Sequence, residues 1–238
     1  MNEWFFNTLK EQYSLVRICS SSSLGEVSQL RHKTHGHDII KRVYPGTGSI
    51  YPILHTLSHP NIPKVYEVIF DQDTVTVLEE YIEGLTISEV LDSGLYKERG
   101  AIAIISSLCD ALRILHERGI VHRDIKPENV LIDNSGIVKL IDYSAAKIYK
   151  PHRSRDTHTL GTAGYAAPEQ FGITQSDRRV DIYALGILMN VMLTGEYPSK
   201  LFYQGRLAKI IEKCTQLDPN KRYQNIAELK ADLVVYKA

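Results

Sequence analysis

The chain has 238 residues, 43% of them hydrophobic and 24% charged, with Lys+Arg and Asp+Glu balanced at 28 each. That composition describes a globular protein with room for one large domain or two small lobes, and excludes a string of modules or a disordered chain. A formal net charge of zero excludes a broad basic surface for nucleic acid and a polybasic membrane anchor.

Residues Met1 to Lys10 carry Glu3 ahead of their apolar residues and have neither a basic n-region nor a small-residue cleavage site, so they do not read as a signal peptide. Tyr13 to Cys19 and Gly25 to Arg31 read as strands around a serine turn, Ser20 to Ser23. The turn Lys33-Thr34-His35-Gly36 leads to a third strand, Asp38 to Tyr44. Ile50 to Leu57 is a short helix despite Pro52, and two further strands, Lys64 to Phe70 and Thr74 to Tyr81, flank Asp71-Gln72-Asp73. After Gly84 the period changes. Ile102, Ile105, Leu108, Leu112 and Leu115 recur at near-helical spacing between Arg99 and Arg118, and Asp177 to Thr194, Ala208 to Leu217 and Gln224 to Tyr236 also read as helices. The longest apolar run, Ile182 to Leu193, is too short to cross a bilayer. Cys19, Cys109 and Cys214 form no CxxC pair and read as buried reduced thiols in a cytoplasmic protein.

Chemistry concentrates in Ile120 to Ile132. Asp124, Lys126 and Asn129 lie on a loop between apolar runs, where no regular helix or strand would bring all three together but a loop can aim them at one point. Phosphoryl transfer needs such a set: a carboxylate to orient an attacking hydroxyl, an ammonium to neutralise the moving phosphoryl group, and a hard oxygen ligand for magnesium. Asp142, thirteen residues after Asn129 at the end of the apolar strand Ile137 to Ile141, offers a second metal-binding oxygen.

These residues resemble the signature of eukaryotic-type Ser/Thr protein kinases. His122-Arg123-Asp124 matches the catalytic-loop triplet, with Asn129 at the motif's spacing, and Asp142-Tyr143-Ser144 stands where the family has Asp-Phe-Gly. Ala167-Pro168-Glu169, Asp181 and Arg222 match, in order, a triplet that follows the activation loop, an aspartate that braces the catalytic loop, and an arginine that pairs with Glu169. The wording from Gly161 to Gly172 is similar to the bacterial branch.

The resemblance implies a single α+β kinase domain over residues 1–238. Its N-terminal lobe, residues 1–82, would be an antiparallel sheet with a short helix, and its C-terminal lobe, 83–238, mainly helical. It further implies ATP and Mg2+ (with Mn2+ as an alternative cation), and protein substrates with Ser/Thr acceptors, including a second copy of the chain in trans. Neither nucleic acid nor membrane is expected as a partner. By the same resemblance Asp124 orients the hydroxyl, Lys126 contacts the γ-phosphate, Asn129 and Asp142 hold the metal, and Lys41 grips the α- and β-phosphates. Glu80 and Ile82 offer backbone groups to adenine, Val27 and Ile39 roof it, and Leu131 is its floor. Arg123 awaits a phosphate on Thr157 or Thr159, while Thr162 bonds Asp124 and Lys126.

The sequence departs from the family's pattern in four places. Of the phosphate-covering glycines only Gly25 remains, the other two positions being Ser20 and Ser22. The helix glutamate that pairs with the strand lysine falls on Ile50, and Glu79, just before the hinge, is the expected substitute partner of Lys41. Tyr143 and Ser144 replace Phe and Gly, so the start of the activation loop should be stiffer. Between Gly195 and Ala208 there are only 12 residues, little room for a substrate-docking helix. Sequence alone leaves open two alternatives: a catalytically impaired pseudokinase acting as a nucleotide-sensing or scaffold module, and a small-molecule kinase.

Overall fold

Residues 2–22, 25–46, 50–149, 162–171 and 176–236 are described by the computed structural model. They fall into two compact units, one drawn from Met1–His59 and Pro63–Glu83, the other from Pro60–Ile62 and Gly84–Ala238.

In the first unit, helix α1 (Asn2–Gln12) precedes strands β1 (Tyr13–Ser22), β2 (Gly25–His32) and β3 (Asp38–Pro45). A five-residue helix, α2 (Tyr51–His55), comes before β4 (Val65–Asp71) and β5 (Thr74–Glu80). The five strands form one antiparallel sheet in the order β1-β2-β3-β5-β4. The turn after β2 is built by His32, whose Nδ1 accepts from the backbone N–H groups of Thr34 and His35. Ser20 to Ser22 are not a turn. They continue β1, with pairing as far as Ser22 opposite Gly25, because the hairpin closes later than its serine content suggests.

Gly25 is fixed by sterics. Its φ is 136°, and a Cβ there would press into the carbonyl oxygen of Val43 on the neighbouring strand. Helix α1 has no counterpart in the sequence reading beyond its lack of targeting features. Its Leu9 is nonetheless buried with Leu30, Ile39 and Leu78.

The second unit opens with β6 (Gly84–Thr86) and α3 (Ile87–Leu91). A capping box starts α3: the Thr86 hydroxyl accepts from the N–H of Glu89, whose carboxylate accepts from the N–H of Thr86. Helix α4 (Glu98–Glu117) buries the stripe Ile102, Ile105, Leu108, Leu112 and Leu115, as its periodicity predicts. Short strands β7 (Ile120–Val121), β8 (Val130–Asp133), β9 (Val138–Leu140) and β10 (Lys147–Ile148) flank the chemistry-bearing loop, in a β6-β8-β9 sheet and a β10-β7 pair. Helices α5 (Arg179–Thr194), α6 (Ala208–Cys214) and α7 (Ile226–Val234) complete the unit. No helix among the described residues is long and apolar enough to cross a membrane.

Helix α5 is buried on nearly every side, and this explains a glycine in its middle. A Cβ on Gly186 would press into the Cβ of Cys214 and lie 2.9 Å from Cγ2 of Thr215, so α5 and α6 meet where only hydrogen fits. Gly186→Ala is expected to cost about 1–3 kcal/mol through overpacking, despite alanine's better helix propensity. A thermal melt against the wild type checks this. Segment 196–207 contains no helix, as its length predicts. It is held instead by buried Asn190, whose Nδ2 donates to the carbonyls of Glu196 and Leu201 and whose Oδ1 accepts from the N–H of Tyr203. Of the cysteines, Cys109 and Cys214 are buried, and burial pushes the Cys109 thiol up to about 12. Cys19 is exposed on β1, contrary to expectation, because every residue of that strand after Tyr13 faces solvent.

Candidate active site

Strand pairing decides which side chains of the first unit share a face, since directly opposed residues point the same way and neighbours along a strand point oppositely. Val27 lies opposite Arg42, and Ile40 lies opposite both Gln29 and Glu79. One face therefore carries Val27, Ile40, Arg42, Tyr44 and Glu79, and the other Leu30, Ile39, Lys41 and Leu78. The second face is covered by α1 through Leu9, with Phe5 packed against the same cluster.

The expected Lys41–Glu79 pair is not formed, because the two side chains occupy opposite faces. Glu79 Oε1 instead accepts from Nε of Arg42 at 2.5 Å, both side chains being desolvated at 5% and 8% exposure. Nη1 of Arg42 also donates to the Tyr44 hydroxyl at 3.3 Å, and Tyr44 stacks on Tyr51 of α2. Ile39 likewise cannot roof a base together with Val27; the isoleucine on Val27's face is Ile40. Ser20 and Ser22 lie on β1 opposite Val27 and Gly25. Glu80 ends β5, its N–H donating to the Lys64 carbonyl and its Oε2 accepting from the N–H of Lys64, and Ile82 follows in an irregular, half-buried segment.

In the second unit, fully buried Asp181 of α5 organises the loop after β7. Its Oδ1 accepts from the N–H of Arg123 at 2.8 Å, and its Oδ2 from the N–H of His122 at 3.0 Å and from Nε2 of His116 at 2.7 Å. Burial alone would raise this carboxyl's pKa; the hydrogen bond and charge of His116 outweigh it and hold the group below the usual carboxylate range. Arg123, directly before Asp124, adopts a left-handed backbone at φ 71°, a strained conformation that the bonds from Asp181 help to hold.

Four side chains then converge. Thr162 Oγ1 donates to Asp124 Oδ1 at 2.7 Å and accepts from Nζ of Lys126 at 2.8 Å. Nζ of Lys126 lies 3.1 Å from Asp124 Oδ2. Asn129 Nδ2 donates to the Asp124 carbonyl at 2.8 Å and to Oδ2 at 2.9 Å. With its nitrogen so committed, the Asn129 amide offers its oxygen to a cation. The N–H of Ile141 donates to the Asn129 carbonyl, which brings the neighbouring Asp142 beside that residue. An amide oxygen and a carboxylate on hydrogen-bonded segments are a hard donor set that fits Mg2+ completed by phosphate oxygens and water.

The triplet after β9 departs from expectation in one respect. The left-handed residue is Asp142, at φ 62°, and not Ser144, whose N–H donates to the Asp142 Oδ1. The Tyr143 hydroxyl donates to the Leu140 carbonyl at 2.9 Å, which satisfies the added polar atom. Leu131 sits in β8 opposite Lys139 and Thr86. Gln170, given no role by its place in the Gly161 to Gly172 stretch, links two motifs, accepting from the N–H of Ala167 and donating to the Arg123 carbonyl. Thr157 and Thr159 lie outside the described residues.

His122 is fully buried beside the loop, edge-on to Tyr143. Burial lowers its pKa, against the opposing pull of Asp181, Asp124 and Asp142, so the folded chain holds a neutral imidazole. A depressed histidine favours the unfolded chain once pH falls below the unfolded value of about 6.5. His122→Phe is therefore expected to flatten the loss of melting temperature between about pH 7 and about pH 5.5 relative to wild type, as read by thermal melts across that range.

The protein kinase domain family matches residues 49–233. The chain belongs to that family. It is 29% identical to the serine/threonine-protein kinase PknB of Mycolicibacterium smegmatis, over 95% of this chain and 43% of the relative. It is 33% identical to a probable serine/threonine-protein kinase of Clostridium perfringens, over 74% of this chain and 30% of the relative. Identity to the serine/threonine-protein kinase PrkC of Bacillus subtilis is 31%, over 75% of this chain and 31% of the relative. The chain thus spans less than half the length of these relatives.

Proposed function

We propose that this kinase-family chain transfers the γ-phosphate of ATP to Ser or Thr hydroxyls of proteins, in the cytoplasm where ATP is held, with a second copy of the chain among its substrates. The observation that carries this reading is the hydroxyl of Thr162: it donates to Asp124 and accepts from Lys126. These two side chains already hold an alcohol in the polarity an incoming acceptor needs. In the reaction Asp124 orients the substrate hydroxyl and draws its proton, and Lys126 offsets charge on the moving phosphoryl group. Asn129 and Asp142 would hold Mg2+, which when bound neutralises the phosphates. Val27 and Ile40, with backbone groups of Glu80 and Ile82, supply apolar cover and hydrogen bonds for a flat heterocycle. The Asp-x-Lys-Pro-x-Asn loop, together with similarity to serine/threonine-protein kinases, supports Ser/Thr acceptors.

The test is incubation of the chain with labelled ATP and Mg2+, with a generic basic protein in one arm and small hydroxylated compounds in another. Label on Ser or Thr of protein is expected. Label confined to small molecules, or none at all, overturns the reading.

A further inference from the structure

We propose that Arg42 is the cation this chain offers to the nucleotide's phosphates, and that Glu79 is its positioning residue. The assignment rests on the kinase reading above and deepens it. Lys41 stands at the family's strand-lysine position in the sequence, but its side chain shares a face with Ile39, Leu30 and Leu78, the face that α1 covers. Val27 is on the opposite face, and the base directly across the ladder from it is Arg42. A nucleotide that meets Val27 meets Arg42 and not Lys41.

The supporting carboxylate has an unusual origin. Helix α2 consists of Tyr51, Pro52, Ile53, Leu54 and His55, so it brings no acid to the sheet. Glu79 comes from β5, two residues along from the position facing Arg42, which makes the pair a diagonal contact between adjacent strands. Its geometry is set by the β3–β5 register. Arginine suits this arrangement better than lysine. A guanidinium is a planar fork of five N–H donors, able to hold a carboxylate along one edge and phosphate oxygens along another, whereas an ammonium is a single compact charge. The Tyr44 hydroxyl, accepting from Nη1, further fixes the plane of the fork. The strand cation and its carboxylate are therefore brought together by the pairing of β3 with β5, with Tyr51 of α2 stacked behind the Tyr44 that orients the fork.

The experiment measures affinity for ATP and for adenosine in the wild type, Lys41→Met, Arg42→Met, Arg42→Lys and Glu79→Gln, together with the KM for ATP. Arg42→Met is expected to weaken ATP at least tenfold more than Lys41→Met does and to leave adenosine affinity within about twofold, with partial recovery in Arg42→Lys. Glu79→Gln is expected to raise the KM for ATP several-fold with less effect on kcat. Because Arg42→Met strands a buried carboxylate, the double change Arg42→Met with Glu79→Leu serves as a well-packed neutral control, and it should show the same selective loss of ATP. Equal loss of ATP and adenosine in that double variant would make the pair purely structural and overturn the assignment. So would a greater ATP loss in Lys41→Met than in Arg42→Met. A wild type that binds no ATP at millimolar concentration overturns the kinase reading itself, and the assignment with it.

Discussion

Asp124→Asn is expected to slow phosphotransfer by about a hundred- to ten-thousand-fold, the usual contribution of a positioned acid–base group, while leaving the chain folded. The reason is visible in the partners of the two carboxylate oxygens. Oδ2 faces two donors, Nζ of Lys126 and Nδ2 of Asn129, and Oδ1 receives the Thr162 hydroxyl. An amide cannot satisfy all of these. With its nitrogen at Oδ2 it sets donors against donors, and with its nitrogen at Oδ1 it can no longer accept the proton of a bound alcohol. Asparagine has the size and shape of aspartate, so the change leaves the packing around position 124 in place. Rates under saturating ATP and Mg2+, measured alongside a melting curve, check both halves. A variant retaining most of its turnover would remove Asp124 from the chemistry.

Arg222→Ala is expected to be the most destabilising of the changes considered, by about 3–5 kcal/mol, as when one member of a buried ion pair is removed. For a chain of this size that is a fall of about 6–20 °C in melting temperature. Arg222 is 0% exposed and bonds Glu169 through both nitrogens of its fork, Nη1 to Oε1 at 2.7 Å and Nη2 to Oε2 at 2.9 Å. Its Nε donates to the Gln216 carbonyl, Nη1 to that of Arg179 and Nη2 to that of Leu217, while the plane lies over the ring of Tyr183. All five N–H donors of the guanidinium are thus used. Truncation leaves Glu169 and three carbonyls without that donor. Arg222→Lys should recover only part of the loss, since an ammonium cannot make a forked contact. Chemical denaturation of the three proteins decides it, and a shift under about 1 kcal/mol would show that the pair contributes little to stability.

Order and spacing along the chain were enough to identify the family, because phosphoryl transfer needs a carboxylate, an ammonium and an oxygen ligand that a loop aims at one point, and Asp124, Lys126 and Asn129 do converge. The heptad-like spacing in α4 was legible for a related reason: one apolar face of a long helix has to be buried, and burial imposes its period. Thr162 and the Arg222–Glu169 pair followed from the motifs they belong to, and the structure contains both contacts.

What the primary structure could not carry is whatever depends on register or on distant neighbours. Lys41 and Arg42 are adjacent bases in one strand, and a shift of a single residue sends a side chain to the other face, so only the pairing of β3 with β2 and β5 distinguishes them. Ser20 to Ser22 have the composition of a turn but lie in a strand, because β2 offers them a partner. Short strands β7 and β10, two residues each, have no period to detect. The roles of Gln170 and Gly186 were hidden for the same reason: one matters through a carbonyl 47 residues away, and the other through the Cβ of Cys214 on the next helix. Local chemistry set the motif order and helix faces of this chain, whereas the pairing of Glu79 with Arg42 and not with Lys41 was made by long-range strand pairing, in which a side chain's direction belongs to the sheet and not to the residue.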